Sequence, residues 1–156
     1  MAEKDIEHDV LVRAIGDAIG ALAGFRGAGY GGRRAARRLK TVAHEEMLIL
    51  DLPLSAVAER IKAALPVMRY PVLPGQPVTV NQQHSIRWIA GSGIGRLNPV
   101  LITVSLASEP YGTTIKIRGV AKQGIIQQRS VRNLVDRLTG LICDLFDVYD
   151  VVDIIG

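Results

Sequence analysis

The chain has 156 residues, of which 48% are hydrophobic and 22% are charged, a composition typical of a globular protein with its own core. The single cysteine excludes an intramolecular disulfide and a multi-cysteine zinc site. The net charge is +4, yet residues 26–40 hold six basic residues and no acid, which leaves 13 basic against 15 acidic residues elsewhere. This asymmetry predicts an anionic partner for the basic segment, or internal pairing with the acidic C-terminal residues.

The N-terminal segment, 1–24, is predicted to be an amphipathic helix. Apolar side chains recur at spacings of three and four from Ile6 to Leu22, and the acids near the start favour the positive end of the helix dipole. The same acids argue against a secretory signal, and Arg13 and Asp17 interrupt any transmembrane interpretation. We therefore expect a cytoplasmic protein.

Three glycines lie four residues apart on this helix: Gly16, Gly20 and Gly24. Small residues at this spacing let two helix backbones approach closely, which predicts a homodimer through this face, a membrane surface, or docking on the domain. The alternative is that the glycines only weaken the helix or mark its end.

Residues 25–45 are predicted to be a flexible linker, because half of the octet from Phe25 to Gly32 is glycine. The segment continues with a basic run that is the candidate anion-binding site: Arg33, Arg34, Arg37, Arg38 and Lys40. Arginine beside Phe25 and Tyr30 is compatible with nucleic acid, through phosphate contacts and base stacking. A solvated arm, or an anchor for acidic protein or lipid surfaces, explains the same residues.

A compact α+β domain is predicted over 46–156. An apolar run at 47–52 predicts a strand, Val57 and Ile61 lie on one face of a helix that ends before Pro66, and strand pieces follow at 78–81 and 85–90. Alternating residues at 100–107 and 113–120 predict an antiparallel pair. A long helix within 125–146 then carries an apolar stripe. The fold class is an antiparallel β-meander against a long C-terminal helix, in the order β-α-β-β-β-α.

This order resembles a short version of the START/Bet v 1-like helix-grip superfamily, over about residues 46–147. The resemblance lies in the strand-to-helix entry from Leu52 to Val57 and in the hairpin that contains Gly112. It implies a cavity between the sheet and the final helix for apolar or amphipathic ligands. The residues expected to line such a pocket are Trp88, Ile102, Val104, Ile115, Ile117, Leu134 and Leu138.

No catalytic motif is present in the sequence. The run from Gly91 to Arg96 lacks the third glycine of a dinucleotide fingerprint and the outer glycines of a nucleophile elbow around Ser92. The sequence after His44 lacks the second histidine of a zincin, and His8, His44 and His84 are scattered. No metal site and no cofactor are therefore predicted.

The sequence thus predicts a non-catalytic binding or interaction module. The leading hypothesis is that an apolar ligand or a protein partner is held between the sheet and the C-terminal helix. The alternative is an adaptor that binds nucleic acid or an anionic membrane through the arginine-rich arm.

Overall fold

The computed structural model describes residues 3–24, 26–64, 79–80, 84–92, 98–123 and 130–147. The elements follow in the order α1 (Glu3–Ala23), α2 (Arg26–Ala36), β1 (Lys40–Leu50), α3 (Leu54–Ala64), β2 (Thr79–Val80), β3 (Ser85–Ser92), β4 (Asn98–Glu109), β5 (Gly112–Gln123) and α4 (Ser130–Leu145). The α+β class and the order of the predicted domain are confirmed, and the strand piece predicted at 78–81 is the two-residue β2.

All strand pairs are antiparallel, and the sheet order is β1-β5-β4-β3-β2. The predicted pairing of 100–107 with 113–120 is confirmed, with Val104 opposite Ile117 and Leu106 opposite Ile115. The first strand pairs with the last along its whole length, from Lys40 opposite Gln123 to Leu50 opposite Thr113. This pairing places α4, which follows β5, beside β1.

The inner face of the sheet, as we call the face toward α3 and α4, is apolar. Period-two alternation directs Ile86, Trp88 and Ala90 of β3 to this face, and the alternate residues of β4 and β5 point the same way. From α4, Val135 and Leu138 complete the cluster, both almost fully buried. Burial of this face against α4 is the main source of stability for the helix-on-sheet layers.

The outer face, on the opposite side of the sheet, is covered in part by α1. Leu11 and Ala14 of α1 pack against Ile89, Leu101 and Val120, which lie on three neighbouring strands. The predicted N-terminal helix is therefore confirmed and docks on the domain. No helix in the part of the chain described here is long and apolar enough to cross a membrane.

The segment predicted as a flexible linker, 25–45, instead contains helix α2 and the first residues of β1. Helix α2 packs along α1, and the contact runs between glycines on both helices. A Cβ at Gly29 would lie 3.0 Å from the carbonyl oxygen of Gly16, and one at Gly20 would lie 3.5 Å from the Cα of Gly29. The close approach of the two backbones offsets the poor helix propensity of glycine. The division into domains at 1–24, 25–45 and 46–156 stays a prediction.

The glycine face predicted to form a homodimer is used within the chain. Gly16 and Gly20 contact α2, so a second copy does not have access to this part of the helix. A Cβ added at Gly24 would have no neighbour within 4 Å, and the residue has a φ of +68°. It ends α1 in the left-handed conformation that glycine adopts without strain, and its amide donates to the carbonyl of Gly20.

Candidate functional site

The seven predicted pocket residues come together on the inner face. Trp88, Ile102, Val104, Ile115, Ile117 and Leu138 are buried members of one apolar cluster, and Leu134 packs against it. Helix α4 lies over β1 and β5, at one side of the sheet. Trp88 lies on β3, two strands beyond β5 in the sheet, and neighbouring strands are about 4.8 Å apart. The predicted residues thus belong to one buried apolar cluster, and α3, which contacts β4 and β5, contributes Val57, Ala58 and Ile61 to it.

Two polar side chains on α4 are buried beside this cluster. The hydroxyl of Thr139 has no hydrogen-bond partner among the described residues, although the residue is only 7% exposed. Cys143 is buried as well, and its burial together with the nearby Asp144 carboxylate raises the pKa of the thiol. A raised pKa makes a thiolate scarce, so Cys143 has the properties of a structural thiol and not of a nucleophile.

The predicted anion-binding residues lie at the end of α2 and the start of β1. The guanidinium of Arg33 is bonded to the Asp17 carboxylate of α1, with 2.7 Å between Nη2 and Oδ1. The others are exposed: Arg34, Arg37, Arg38 and Lys40. Tyr30, one helical turn before Arg34, is 73% exposed. The structure therefore presents the basic run on an ordered surface, with one arginine already paired.

On the outer face, Arg118 of β5 joins α1 to the sheet. Its Nε donates to Oε1 of Glu7 at 2.9 Å, and its Nη2 donates to Oε2 of the same carboxylate at 3.2 Å. The hydrogen bond to Glu7 raises the pKa of Arg118, against the lowering effect of burial. Glu45 of β1 accepts from Nη1 of Arg118 at 3.5 Å and also pairs with Lys116 at 2.9 Å. The Glu7 side chain is only 3% exposed, and its two hydrogen bonds with Arg118 determine how α1 lies on the sheet.

Lys122, farther along β5, makes a second buried polar contact with α1. Its ammonium lies 2.6 Å from Nδ1 of His8, 2.9 Å from Oγ1 of Thr41 and 3.3 Å from the carbonyl of Leu39. An ammonium has three hydrogens, so all three are satisfied, and Nδ1 of His8 is the acceptor. Burial lowers the pKa of Lys122, because none of these partners carries a full negative charge.

The three histidines, which are scattered in the sequence, have separate surroundings. His8 contacts Lys122 on the outer face, and His84 is exposed, with a φ of 53°. His44 is different, because carboxylates of Glu46 and Asp136 both approach its Nε2. These three side chains could hold a metal ion, although the sequence predicts no metal site.

Several expectations concern parts of the chain outside the described residues. They are most of the glycine run from Gly91 to Arg96 and, among the acidic C-terminal residues, Asp150 and Asp153.

The contacts on the outer face were not predicted from the sequence, although one signal for them exists. Neighbouring apolar residues occur at Ile89–Ala90 in β3, at 100–102 in β4 and at Val120–Ala121 in β5. A sheet with one solvated face shows strict alternation, whereas consecutive apolar residues indicate that both faces are covered.

No protein-family model matches the sequence, and no curated protein matches it. Among solved structures, protein MLL2253 from Mesorhizobium loti has a TM-score of 0.50 at 12% identity, over 72% of this chain and 100% of that chain. Ara h 8.0201, a Bet v 1 homologue, has a TM-score of 0.48 at 12% identity, over 70% and 97%. Norcoclaurine synthase from Thalictrum flavum has a TM-score of 0.44 at 8% identity, over 70% and 90%. The likeness to MLL2253 shows a common fold and nothing more specific.

Proposed function

We propose that the protein is a non-catalytic binding module of the cytoplasm that holds an apolar or amphipathic small molecule between the inner face of its sheet and α4. The observation that supports this proposal is the single apolar cluster that joins α4 to Trp88 across the inner face. Ligand sites in proteins are mostly apolar, with a few polar groups that orient the ligand. The described part of the inner face has this composition.

The hydroxyl of Thr139 supports an amphipathic ligand. A buried hydroxyl without a hydrogen-bond partner costs about 1–3 kcal/mol, and a ligand that supplies the partner recovers this free energy. Its position on α4, between Val135 and Cys143 of the buried stripe, directs the hydroxyl toward the same apolar cluster. Thr139 would thus orient the polar end of a ligand whose body lies on the inner face.

Binding of the neutral fluorophore N-phenyl-1-naphthylamine tests this proposal. Trp88 is the only tryptophan in the chain, so all tryptophan emission reports on the inner face. We expect saturable binding of one probe per chain, with quenching of Trp88 through energy transfer to the probe. The absence of saturable binding, or binding that leaves Trp88 emission unchanged, would contradict the proposal.

A matched variant tests the role of Thr139. Thr139→Val keeps the shape of the side chain and removes the hydroxyl, so the unpaired group disappears. We expect the variant to bind the probe as well as the wild type does. Competition by fatty alcohols should become weaker in the variant relative to competition by alkanes of equal length. An equal effect on both competitors would mean that Thr139 does not contact the ligand.

A second candidate function is binding of nucleic acid, which is favoured because the basic segment forms helix α2 and the start of β1 instead of a flexible linker. The exposed residues Arg34, Arg37 and Arg38 follow one another at the end of α2 and just after it, so several phosphates of one nucleic acid could be contacted without the cost of ordering a linker. This interpretation places the site on the α1–α2 pair and not on the inner face.

Salt dependence tests the second candidate. If three arginines contact DNA phosphates, the logarithm of the binding constant should fall with a slope of about −2.7 against the logarithm of the salt concentration. Changing Arg34, Arg37 and Arg38 to Ala should abolish binding to a fluorescent duplex and leave Tm almost unchanged. Arg33 is kept, because its pairing with Asp17 holds α2 to α1. A binding constant that does not change with salt, or binding retained by the triple variant, would exclude nucleic-acid binding through these arginines. Preferential binding to anionic vesicles would identify a membrane partner instead.

A further inference from the structure

Among the residues that the structure describes, one cluster of possible metal ligands lies between β1 and α4. Nε2 of His44 is 3.0 Å from Oε1 of Glu46 and 3.3 Å from Oδ1 of Asp136. Glu46 is two residues after His44, so both side chains point to the same face of β1. Asp136 reaches them because α4 packs against this strand. The three residues therefore come from two elements that are about 90 positions apart in the sequence.

Hydrogen bonding alone does not satisfy this arrangement. Nε2 of an imidazole carries at most one hydrogen, yet two carboxylate oxygens approach this one nitrogen. The two carboxylates bring two negative charges, against at most one positive charge on His44. Arg132 is 3.6 Å from the other oxygen of Asp136, but its side chain is 72% exposed, so it compensates little of this charge. A divalent cation would neutralise both carboxylates and use the imidazole nitrogen as a third ligand.

The distances fit a small transition-metal ion. Zinc binds imidazole nitrogen and carboxylate oxygen at about 2.0–2.2 Å, so two ligand atoms in a tetrahedral site are separated by about 3.3–3.6 Å. The two measured separations, 3.0 Å and 3.3 Å, need shifts of a few tenths of an ångström or less to reach this range. All three ligand atoms lie within 4.8 Å of one another. Calcium and magnesium prefer sites made of oxygen alone, whereas an imidazole favours zinc and its neighbours.

We propose that His44, Glu46 and Asp136 bind one divalent transition-metal ion, with Zn²⁺ as the best fit and a water molecule at the fourth position. The ligand side chains are 26%, 30% and 48% exposed, so an ion reaches the site from solvent. The bound ion connects the edge strand β1 to the middle of α4. It therefore fastens the helix that covers the inner face, independently of whether a small molecule binds there.

The experiment uses the full chain, free of any polyhistidine tag and stripped with a chelator. Zn²⁺ is titrated calorimetrically, and the melting temperature is followed with and without the ion. We expect one Zn²⁺ per chain and a rise in Tm, because an ion that binds only the folded state stabilises it. Co²⁺ at the same site should give the visible absorption of a tetrahedral nitrogen–oxygen complex. Mg²⁺ should bind at least about tenfold more weakly.

Three variants make the test specific to these residues. His44→Gln and Asp136→Asn keep the shape of the side chains, and each should weaken Zn²⁺ binding by about 100-fold or more, since loss of an outer-shell partner alone costs 10–100-fold. The control is Glu45→Gln, because Glu45 neighbours both strand ligands but binds Lys116 and Arg118 on the opposite face. It should bind Zn²⁺ like the wild type. No binding by the wild type, or equal binding by all four proteins, overturns the proposal.

Asp136→Asn also protects the test against a folding defect. Asp136 is on the exposed side of α4, so this variant should fold even if His44→Gln does not. Circular dichroism of each metal-free protein establishes that it is folded. Loss of both Zn²⁺ binding and the Tm rise in folded Asp136→Asn supports the proposal, and retention of either one contradicts it.

Discussion

Leu138→Ala is expected to lower the free energy of unfolding by about 2–5 kcal/mol, as large-to-small substitutions in a packed core do. Leu138 is 1% exposed and belongs to the apolar cluster between α4 and the sheet. The cost is highest where the surroundings cannot collapse into the cavity. A Cβ at Gly119 of β5 would lie only 2.7 Å from Cγ2 of Val135, so α4 is already close to the sheet backbone one turn away. The helix cannot move inward at Leu138, and we expect a value in the upper half of the range.

Urea unfolding followed by Trp88 fluorescence and by circular dichroism measures this loss. Arg137→Ala is the matched control, because it truncates the preceding residue on the exposed side of the same helix. Its effect should stay within about 0.5 kcal/mol of zero. A loss below about 1 kcal/mol for Leu138→Ala would show that α4 is not packed on the sheet as described.

Local periodicity predicted most elements after residue 46, although it placed the first strand at 47–52 instead of Lys40–Leu50. Alternation in 100–107 and 113–120 predicted the β4–β5 pair, and the stripe that contains Val135 and Leu138 predicted α4. Side chains alternate between the two faces of a strand and return to the same face of a helix every three or four residues. When one face is buried, the apolar residues of the sequence follow the same spacing, which is why these patterns are predictive. Six of the seven predicted pocket residues are buried in one cluster for the same reason, although whether they enclose a ligand stays a prediction.

Helix α2 was not predicted, because its stability comes from a contact and not from its own residues. Glycine is a poor helix former, so Gly29 and Gly32 indicated a linker when they were considered alone. In the structure they lie against Gly16 and Ile19 of α1, and a larger residue at either position would require its neighbour to shift. The sequence contains both glycine stripes, but the choice of partner, another copy or the same chain, is a tertiary property.

The metal-binding cluster was beyond sequence analysis for a topological reason. His44 and Glu46 share a face of any strand, so their proximity was predictable. Asp136 joins them only because β1 pairs with β5, which directs α4 to the same edge of the sheet. Pairing of the first strand with the last depends on the whole fold, and no local sequence pattern around residue 136 indicates this pairing.

Breaking the contact between Glu7 and Arg118 is expected to give an asymmetric result. Arg118→Met leaves the Glu7 carboxylate, which is 3% exposed, without its partner, and the loss of stability should be about 3–5 kcal/mol. Glu7→Gln leaves Arg118 26% exposed and still close to Glu45, so the loss should be only about 1–2 kcal/mol. The larger cost thus falls on the variant that retains the more buried charge.

The double variant separates a lost attraction from an unpaired charge. Glu7→Gln combined with Arg118→Met removes both charges of this pair, so it should be more stable than Arg118→Met alone. The coupling energy from the four proteins should lie between about 0.5 and 3 kcal/mol. Hydrogen exchange locates the effect: in Arg118→Met the amides of α1 should lose protection before those of β4 and β5, because Arg118 holds α1 on the outer face.

Lys116→Met is the control for this cycle. Lys116 is on the same strand and pairs with Glu45 at 2.9 Å, but the two side chains are 45% and 34% exposed. A pair this accessible to water contributes between zero and about 1 kcal/mol, so its removal should change stability little and leave the protection of α1 unaltered. If Lys116→Met and Arg118→Met cost the same, or if the double variant is less stable than Arg118→Met, the Glu7 carboxylate is not buried under α1. The outer face would then be held by the contacts of Leu11 and Ala14 alone.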